Sequence, residues 1–271
     1  MSKDPDAPRL TADGSKADLR ARLANLRPGH PSEAGYSDRP PTDSAWRQAR
    51  AGFTEVWQRH QERWPHPQEK AERRELSTTV ERELADGCDK IQAAEEEITS
   101  QLLAIEADQP GRVLVGLEFR LKGRDRIIEK AQQNLENKPD RTPEAALALI
   151  PDAVRYTFCY GNQDYAAGVR DDIARLKSEG FEVLKFKNFW GDAEYRGINS
   201  QWLDERTGQR FEVQFHTAYS FHAKQVTHGA YERLRTGDMT DDEEHELEMF
   251  QRRVTATVPF PLGALDVAEH S

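Results

Sequence analysis

The sequence predicts an α+β fold: a mixed, mainly antiparallel five-stranded sheet flanked by helices, behind an N-terminal helical extension. Three observations lead there. Apolar residues change period along the chain, from the three- and four-residue steps of helices to the alternation of strands. Helix and strand then trade places until three strands arrive in succession, two of them joined by a hairpin, an order that suits α+β better than a doubly wound parallel sheet. Finally, 37% of the 271 residues are hydrophobic, which fills one good core and would be tight for two.

Residues 1–44 are rich in Asp, Pro, Arg, Ser and Gly with isolated apolar side chains, too few to offset the entropy of ordering, and read as a tail or linker. A helical extension is expected over 45–110. Its first helix, from Trp46 to Trp64, carries Phe53, Val56 and Trp57 without a strict period. The second is clearer: Val80, Leu84, Cys88, Ile91, Ile98, Leu102 and Ile105 form an apolar stripe, with Glu95, Glu96 and Glu97 on its expected solvent face. The sheet is expected within 111–257. Val113, Val115, Leu117 and Phe119 alternate as a strand, and after Gly123 a helix runs through Ile127, Ile128 and Lys130 to about Leu135. A short helix near Ala145 to Leu149 precedes a strand from Val154 to Tyr160. Tyr165, Val169, Ile173 and Leu176 mark a helix closed by Gly180, in the position of a left-handed cap. Strands follow at Val183 to Phe189, Ile198 to Leu203 and Arg210 to His216, with the pair Thr207-Gly208 suiting a hairpin turn between the last two. Helices from about Ser220 to Leu234 and from Asp241 to Val254 come next, and 258–271 reads as a C-terminal tail.

Composition narrows the function. With 38 Lys and Arg against 48 Asp and Glu the net charge is -10, which disfavours non-specific binding along a nucleic-acid backbone or an anionic membrane. The two cysteines, Cys88 and Cys159, are far apart and suggest a reducing compartment, with neither a disulfide framework nor a cysteine metal site. The first thirty residues lack the apolar core of a signal peptide, and no stretch approaches the ~18 apolar residues of a membrane span. Phosphate-loop and dinucleotide glycine patterns are absent, and His245-Glu246 lacks the second histidine of a metalloprotease helix. His216, His222 and His228 are spaced by six residues, a turn of roughly 240° per step on a helix, so they share no face.

Two segments carry chemistry. Alternation along Arg210 to His216 places Phe211, Val213 and Phe215 on one face and Arg210, Glu212, Gln214 and His216 on the other. Alone, that polar row is an ordinary half-solvated strand. Upstream, however, Tyr195 offers a flat ring for a base, and Gly197 permits close backbone approach. The second segment holds Arg120, Lys122, Arg124, Arg126 and Lys130 at a strand-to-helix junction. Four of these cations could converge as a polyphosphate site, or pair with Asp125 and Glu129 as a solvated face.

In order and spacing, segments from about Val80 to Arg235 resemble the RelA/SpoT-like nucleotidyltransferases, the pyrophosphokinases that make alarmone nucleotides and include small synthetases and toxins. The donor motif Arg-x-Lys-x-x-x-Ser-Ile-x-x-Lys is matched by Arg120, Lys122, Ile127 and Lys130, with Arg126 at the serine. An aspartate before a Gly-Val-Arg-type strand is matched by Asp152 and Arg155, about two residues closer together than usual. Lys-Asp-Tyr appears as Lys187-Asn188-Phe189, and Gly-Tyr-x-x-x-His as Glu194, Tyr195 and Asn199. Glu-x-Gln-x-Arg-Thr is matched by Glu212, Gln214 and Thr217 with His216 at the arginine, and the helical His and Tyr by His228 and Tyr231. Tyr156-Thr157, Phe215-His216-Thr217 and Tyr231-Glu232 with Arg235 are closer to the toxin-like branch.

The resemblance implies a nucleotidyltransferase-like fold that moves the β,γ-pyrophosphate of ATP to a ribose hydroxyl and releases AMP. Asp152 and Glu212 would be the catalytic carboxylates and hold Mg²⁺, with Glu212 orienting or deprotonating the hydroxyl. Arg120, Lys122, Arg126, Lys130 and Arg155 would bind ATP. Tyr195 would stack on the acceptor base, with Lys187, Asn199, Gln214, His216 and His228 lining that side. The implied acceptor is GDP, GTP or an adenine nucleotide. Alternatives are the 3′ end of tRNA, or an inactive relative that binds nucleotide or a partner. A toxin of this branch would act in the bacterial cytoplasm, delivered there if the chain belongs to a longer effector, and would be met by an antitoxin or immunity protein. No membrane partner is implied.

Overall fold

A computed structural model describes residues 78–109, 111–237 and 239–268. The expected tail and the helix from Trp46 to Trp64 lie outside them. The first described helix, α1 (Thr78–Asp108), buries Leu84, Cys88, Ile91, Ile98, Leu102 and Ile105, the stripe read from the sequence. Glu95 corrects the expected solvent face: it is 2% exposed and turned inward.

The first strand is shorter than its alternation suggests. β1 (Arg112–Val115) ends at Gly116, whose φ of 66° turns the chain into a single 3₁₀ turn, Leu117–Phe119, and leaves Phe119 exposed. There follow α2 (Arg124–Asn137), α3 (Pro143–Ala148), β2 (Arg155–Tyr160) and α4 (Tyr165–Ser178). Gly180, with φ 86°, then reverses the chain into β3 (Phe181–Asn188). β4 (Ile198–Asp204) and β5 (Arg210–Thr217) form the hairpin, in which Asp204 accepts hydrogen bonds from Arg206 N (3.0 Å) and Thr207 Oγ1 (2.7 Å). Thr217 ends β5 and caps α5 (Ala218–Thr236) in a reciprocal box with Ser220; Thr240 and Glu243 do the same for α6 (Asp241–Ala256).

The strands lie in the order β1-β2-β5-β4-β3, with only β2 and β5 parallel, which is the mixed, mainly antiparallel sheet expected. One face carries Tyr156, Phe158 and Tyr160 of β2, Phe211, Val213 and Phe215 of β5 and Ile198 and Trp202 of β4, all buried. α1 and α4 close over it: Tyr156 donates to Glu95 O (3.2 Å), and Tyr160 to Asp172 Oδ2 (2.6 Å). Residues 258–268, expected within a tail, do not trail away. Val258, Ala264 and Val267 join the core, and Asn188 Nδ2 donates to Ala264 O (2.8 Å) and Val267 O (3.1 Å).

Candidate active site

Residues in register across a sheet share a face, so strand pairing alone assembles the polar side. One row runs Arg155 (β2), Glu212 (β5), Gln201 (β4), Lys185 (β3). The next runs Thr157, Gln214, Asn199, Lys187. In the third, Cys159 pairs with His216, and Gly197 just before β4 approaches its ring. Arg155, Glu212, Gln214, Asn199 and Lys187, chosen separately by motif, are thus brought onto two adjacent rows of one face.

Backbone hydrogen bonds add the donor-side residues. Arg155 N donates to Arg120 O (2.7 Å), Lys122 N to Ala153 O (2.9 Å) and Glu212 N to Val154 O (2.9 Å). These bonds fix Lys122 and Asp152 beside the row of Arg155 and Glu212. Asp152 receives Lys122 Nζ at 3.2 Å and Lys130 Nζ at 3.0 Å. Burial works to raise the Asp152 carboxyl, but the two lysines outweigh it and hold the group below the usual carboxylate range. Glu212 goes the other way. Burial pushes it up, Asp152 adds to the rise, and Arg155, Lys224 and the Gln214 amide, 2.5 Å from Glu212 Oε1, offset only part. Among the described residues no hydrogen bond or ion pair engages the Arg155 guanidinium, which leaves it available to a ligand anion.

The other expected donor-side cations point elsewhere. The Arg120 guanidinium turns to buried Glu95 and to Leu117 O (2.8 Å). Arg126 is exposed and pairs with Glu129 at 2.8 Å, one turn along its own helix. Of the four cations that could have converged, Lys122 and Lys130 meet on Asp152, and Arg120 and Arg126 do not join them.

On the acceptor side, Lys187 is exposed, its ammonium 5.8 Å from the Phe189 ring centroid, and His228 is exposed on α5. Tyr195 is half-buried; its hydroxyl donates to Asn199 Oδ1 (2.7 Å) and lies 2.8 Å from His216 Nε2. His216 corrects an expectation. It is 0% exposed and has no open surface to offer an acceptor, and its ring nitrogens face Tyr195 and Ser220 instead. The sequence reading also missed Lys224. It stands two turns into α5, seven residues after the cap that ends β5, and donates to Gln214 Oε1. Burial, with Arg155 adding to the effect, pulls its ammonium down to about 8. The spacing from Thr217 was the signal that could have found it.

Among the described residues there is no group of three or more His, Cys, Asp or Glu that could hold a metal, and no helix long and apolar enough to cross a membrane. Asp152 and Glu212 still suit Mg²⁺, a hard cation often held by one or two carboxylates with substrate phosphates and water completing its shell. The Asp152 charge adds to the rise of Glu212, a repulsion that a bound cation would relieve.

No family model and no curated protein matches the chain. Among solved structures it is similar to smu.1046c from Streptococcus mutans UA159, at 15% identity and a TM-score of 0.45 over 62% of this chain and 88% of that one. It is similar also to small alarmone synthetase 1 from Bacillus subtilis, at 18% identity and a TM-score of 0.43 over 62% and 86%. A GTP pyrophosphokinase family protein from Streptococcus pneumoniae shares 14% identity and a TM-score of 0.43 over 67% and 90%.

Proposed function

We propose that this protein is an ATP-dependent pyrophosphotransferase, which moves the β,γ-pyrophosphate of ATP to a ribose hydroxyl of a nucleotide and releases AMP. The observation that carries the reading is the meeting of Asp152 and Glu212 with Lys122, Lys130 and Arg155 beside a second polar row of Lys187, Asn199 and Gln214.

Each residue has work suited to its surroundings. Lys122 and Lys130, half-buried on Asp152, can exchange that carboxylate for triphosphate oxygens. The freed Asp152 and Glu212 would hold Mg²⁺, which screens phosphate charge and so eases nucleophilic attack. Arg155 adds a fixed positive charge where negative charge builds on the transferred group and on departing AMP. Glu212, in register with Arg155, stands where it can orient the attacking hydroxyl and take its proton. The ribose oxygen bonds to Pβ, the bond between Pβ and the oxygen bridging to Pα breaks with its electrons going to AMP, and the hydroxyl proton passes to Glu212. Tyr195 and the row of Lys187, Asn199 and Gln214 hold the acceptor during this step.

The test is incubation with γ-³²P-ATP, Mg²⁺ and, separately, GDP, GTP, ADP or bulk tRNA, beside Glu212→Gln. Label should move to one acceptor with AMP released, and the variant, which keeps the shape and loses the charge, should fall by roughly 10²- to 10⁴-fold. Unchanged turnover in Glu212→Gln would remove that residue from the chemistry; ATP bound with no label moved to any acceptor would favour a binding protein.

A further inference from the structure

Three contacts of the buried His216 imidazole bear on Tyr195 and its surroundings, beside a backbone hydrogen bond at Arg196. Nδ1 is 2.9 Å from Ser220 Oγ, and Nε2 is 2.8 Å from the Tyr195 hydroxyl. The third is steric: a Cβ on Gly197 would lie 2.7 Å from His216 Cε1 and 2.9 Å from Nδ1, so the glycine backbone packs directly on the ring. Counting protons gives the hydrogen bonds a direction. Tyr195 donates its single hydroxyl proton to Asn199 Oδ1. If Nε2 then donates to the Tyr195 oxygen, a neutral imidazole leaves Nδ1 as an acceptor facing Ser220 Oγ, whose single proton also lies within reach of Thr217 O at 3.3 Å. Burial, with Lys224 adding to it, holds His216 well below the usual histidine range and keeps the ring neutral. A chain therefore runs Ser220 to His216 to Tyr195 to Asn199. Asn199 retains its Nδ2 as a donor, in register beside Gln214 and Lys187.

We propose that His216 is a positioning residue, which clamps the Tyr195 hydroxyl so that the ring meets the acceptor nucleotide in one orientation and Asn199 offers an N–H to a ligand oxygen. The role rests on the transferase reading of this face. His216 itself touches no ligand. Its hydrogen-bonding effect passes through one hydroxyl, beside an edge contact of the two rings at 5.5 Å, so most of it should vanish when that hydroxyl is removed.

The test uses the full chain as wild type, His216→Gln, His216→Leu, Tyr195→Phe and the double variant His216→Leu with Tyr195→Phe. Spectra of protein labelled with ¹⁵N-histidine should show one ring with protonated Nε2 and bare Nδ1, absent in His216→Gln and shifted in Tyr195→Phe. Binding of GDP, GTP and ADP, measured by calorimetry, should weaken about tenfold in His216→Leu. The Gln variant, whose amide N–H can replace Nε2–H, should recover most of that loss. Once Tyr195→Phe is present, His216→Leu should cost less than about twofold more. Additive losses, no recovery in His216→Gln, or a histidine signal indifferent to Tyr195→Phe would overturn the clamp. If the wild type binds none of the three nucleotides, the reading of this face as a site for a free nucleotide acceptor fails, and the histidine spectrum still decides whether His216 holds Tyr195.

Discussion

Asn188 stands where the motif it resembles has an aspartate, and its amide explains the difference. Nδ2 donates to Ala264 O and Val267 O, while Oδ1 accepts from Trp190 N at 3.0 Å. An aspartate could keep only the last bond and would set its charge against the carbonyls of Ala264, Leu265 and Val267. Asn188→Asp should therefore destabilise the protein by about 1–3 kcal/mol in a denaturant titration near pH 7, and by less near pH 4, where the acid can donate a proton. An unchanged midpoint at pH 7 would mean that the segment from Ala264 to Val267 is held by its apolar contacts alone. The same reasoning applies to His216 and Asn199, which depart from the motifs together and are joined through the Tyr195 hydroxyl. A departure from a motif is thus not by itself a broken site. Here Asn188 satisfies carbonyls that an aspartate would not, and His216 and Asn199 share one hydroxyl.

Between elements, one staple is a buried polar cluster. Arg112 of β1 is buried, with Nε 3.1 Å from Asp172 and Nη1 3.3 Å from Asp171 on α4, and Nη2 donating to Ile105 O (2.7 Å) on α1. Removing one partner of a buried ion pair leaves the other to stay charged in the interior or to take up a proton, and either costs stability. Arg112→Met should cost about 3–5 kcal/mol in urea unfolding, and adding Asp172→Asn should return part of it. If the double variant is no more stable than the single, the arginine matters for its bond to Ile105 O instead. None of this could be read from the sequence, whereas much at the same scale could. The stripe on α1 and the alternation of β5 are local patterns, visible because neighbours in sequence build them. Glu95 sat within three consecutive glutamates and looked solvated. Its burial depends on Arg120, 25 residues away, and on the Tyr156 hydroxyl reaching its carbonyl, contacts that exist only once β1 and β2 pack on α1. Lys224 was hidden for the same reason: its partner Gln214 lies across a strand-to-helix corner. The motif order brought Lys122, Lys130, Asp152, Arg155 and Glu212 into view, but not which cations converge.

Across the whole molecule, buried titrating groups act in opposite senses as the pH falls. Burial pushes His222 down to about 4 and His216 well below the histidine range. In the unfolded chain both titrate near ~6.5. Between pH 6.5 and 4 the unfolded state therefore binds protons that the native state refuses, and the stability contributed by these histidines is lost as pH falls, by up to about 1.4 kcal/mol per unit for each. Asp172 has the opposite sign. Burial outweighs Arg112 and Tyr160 and lifts it to about 7, so the native state takes up its proton first, and its contribution grows as pH falls from 7 towards the unfolded carboxylate range. Glu212, also raised, adds to that arm. The wild type should consequently show only a shallow change in urea midpoint between pH 7 and 5. Asp172→Asn removes most of the carboxylate arm and should lose stability more steeply on acidification, while His222→Phe removes part of the histidine arm and should lose less than the wild type, or gain. Midpoints for the three proteins at pH 7, 6 and 5 decide it. Three parallel slopes would mean that neither Asp172 nor His222 changes protonation on unfolding in this range, and the acid response would then have to come from the surface carboxylates of a chain whose net charge is -10.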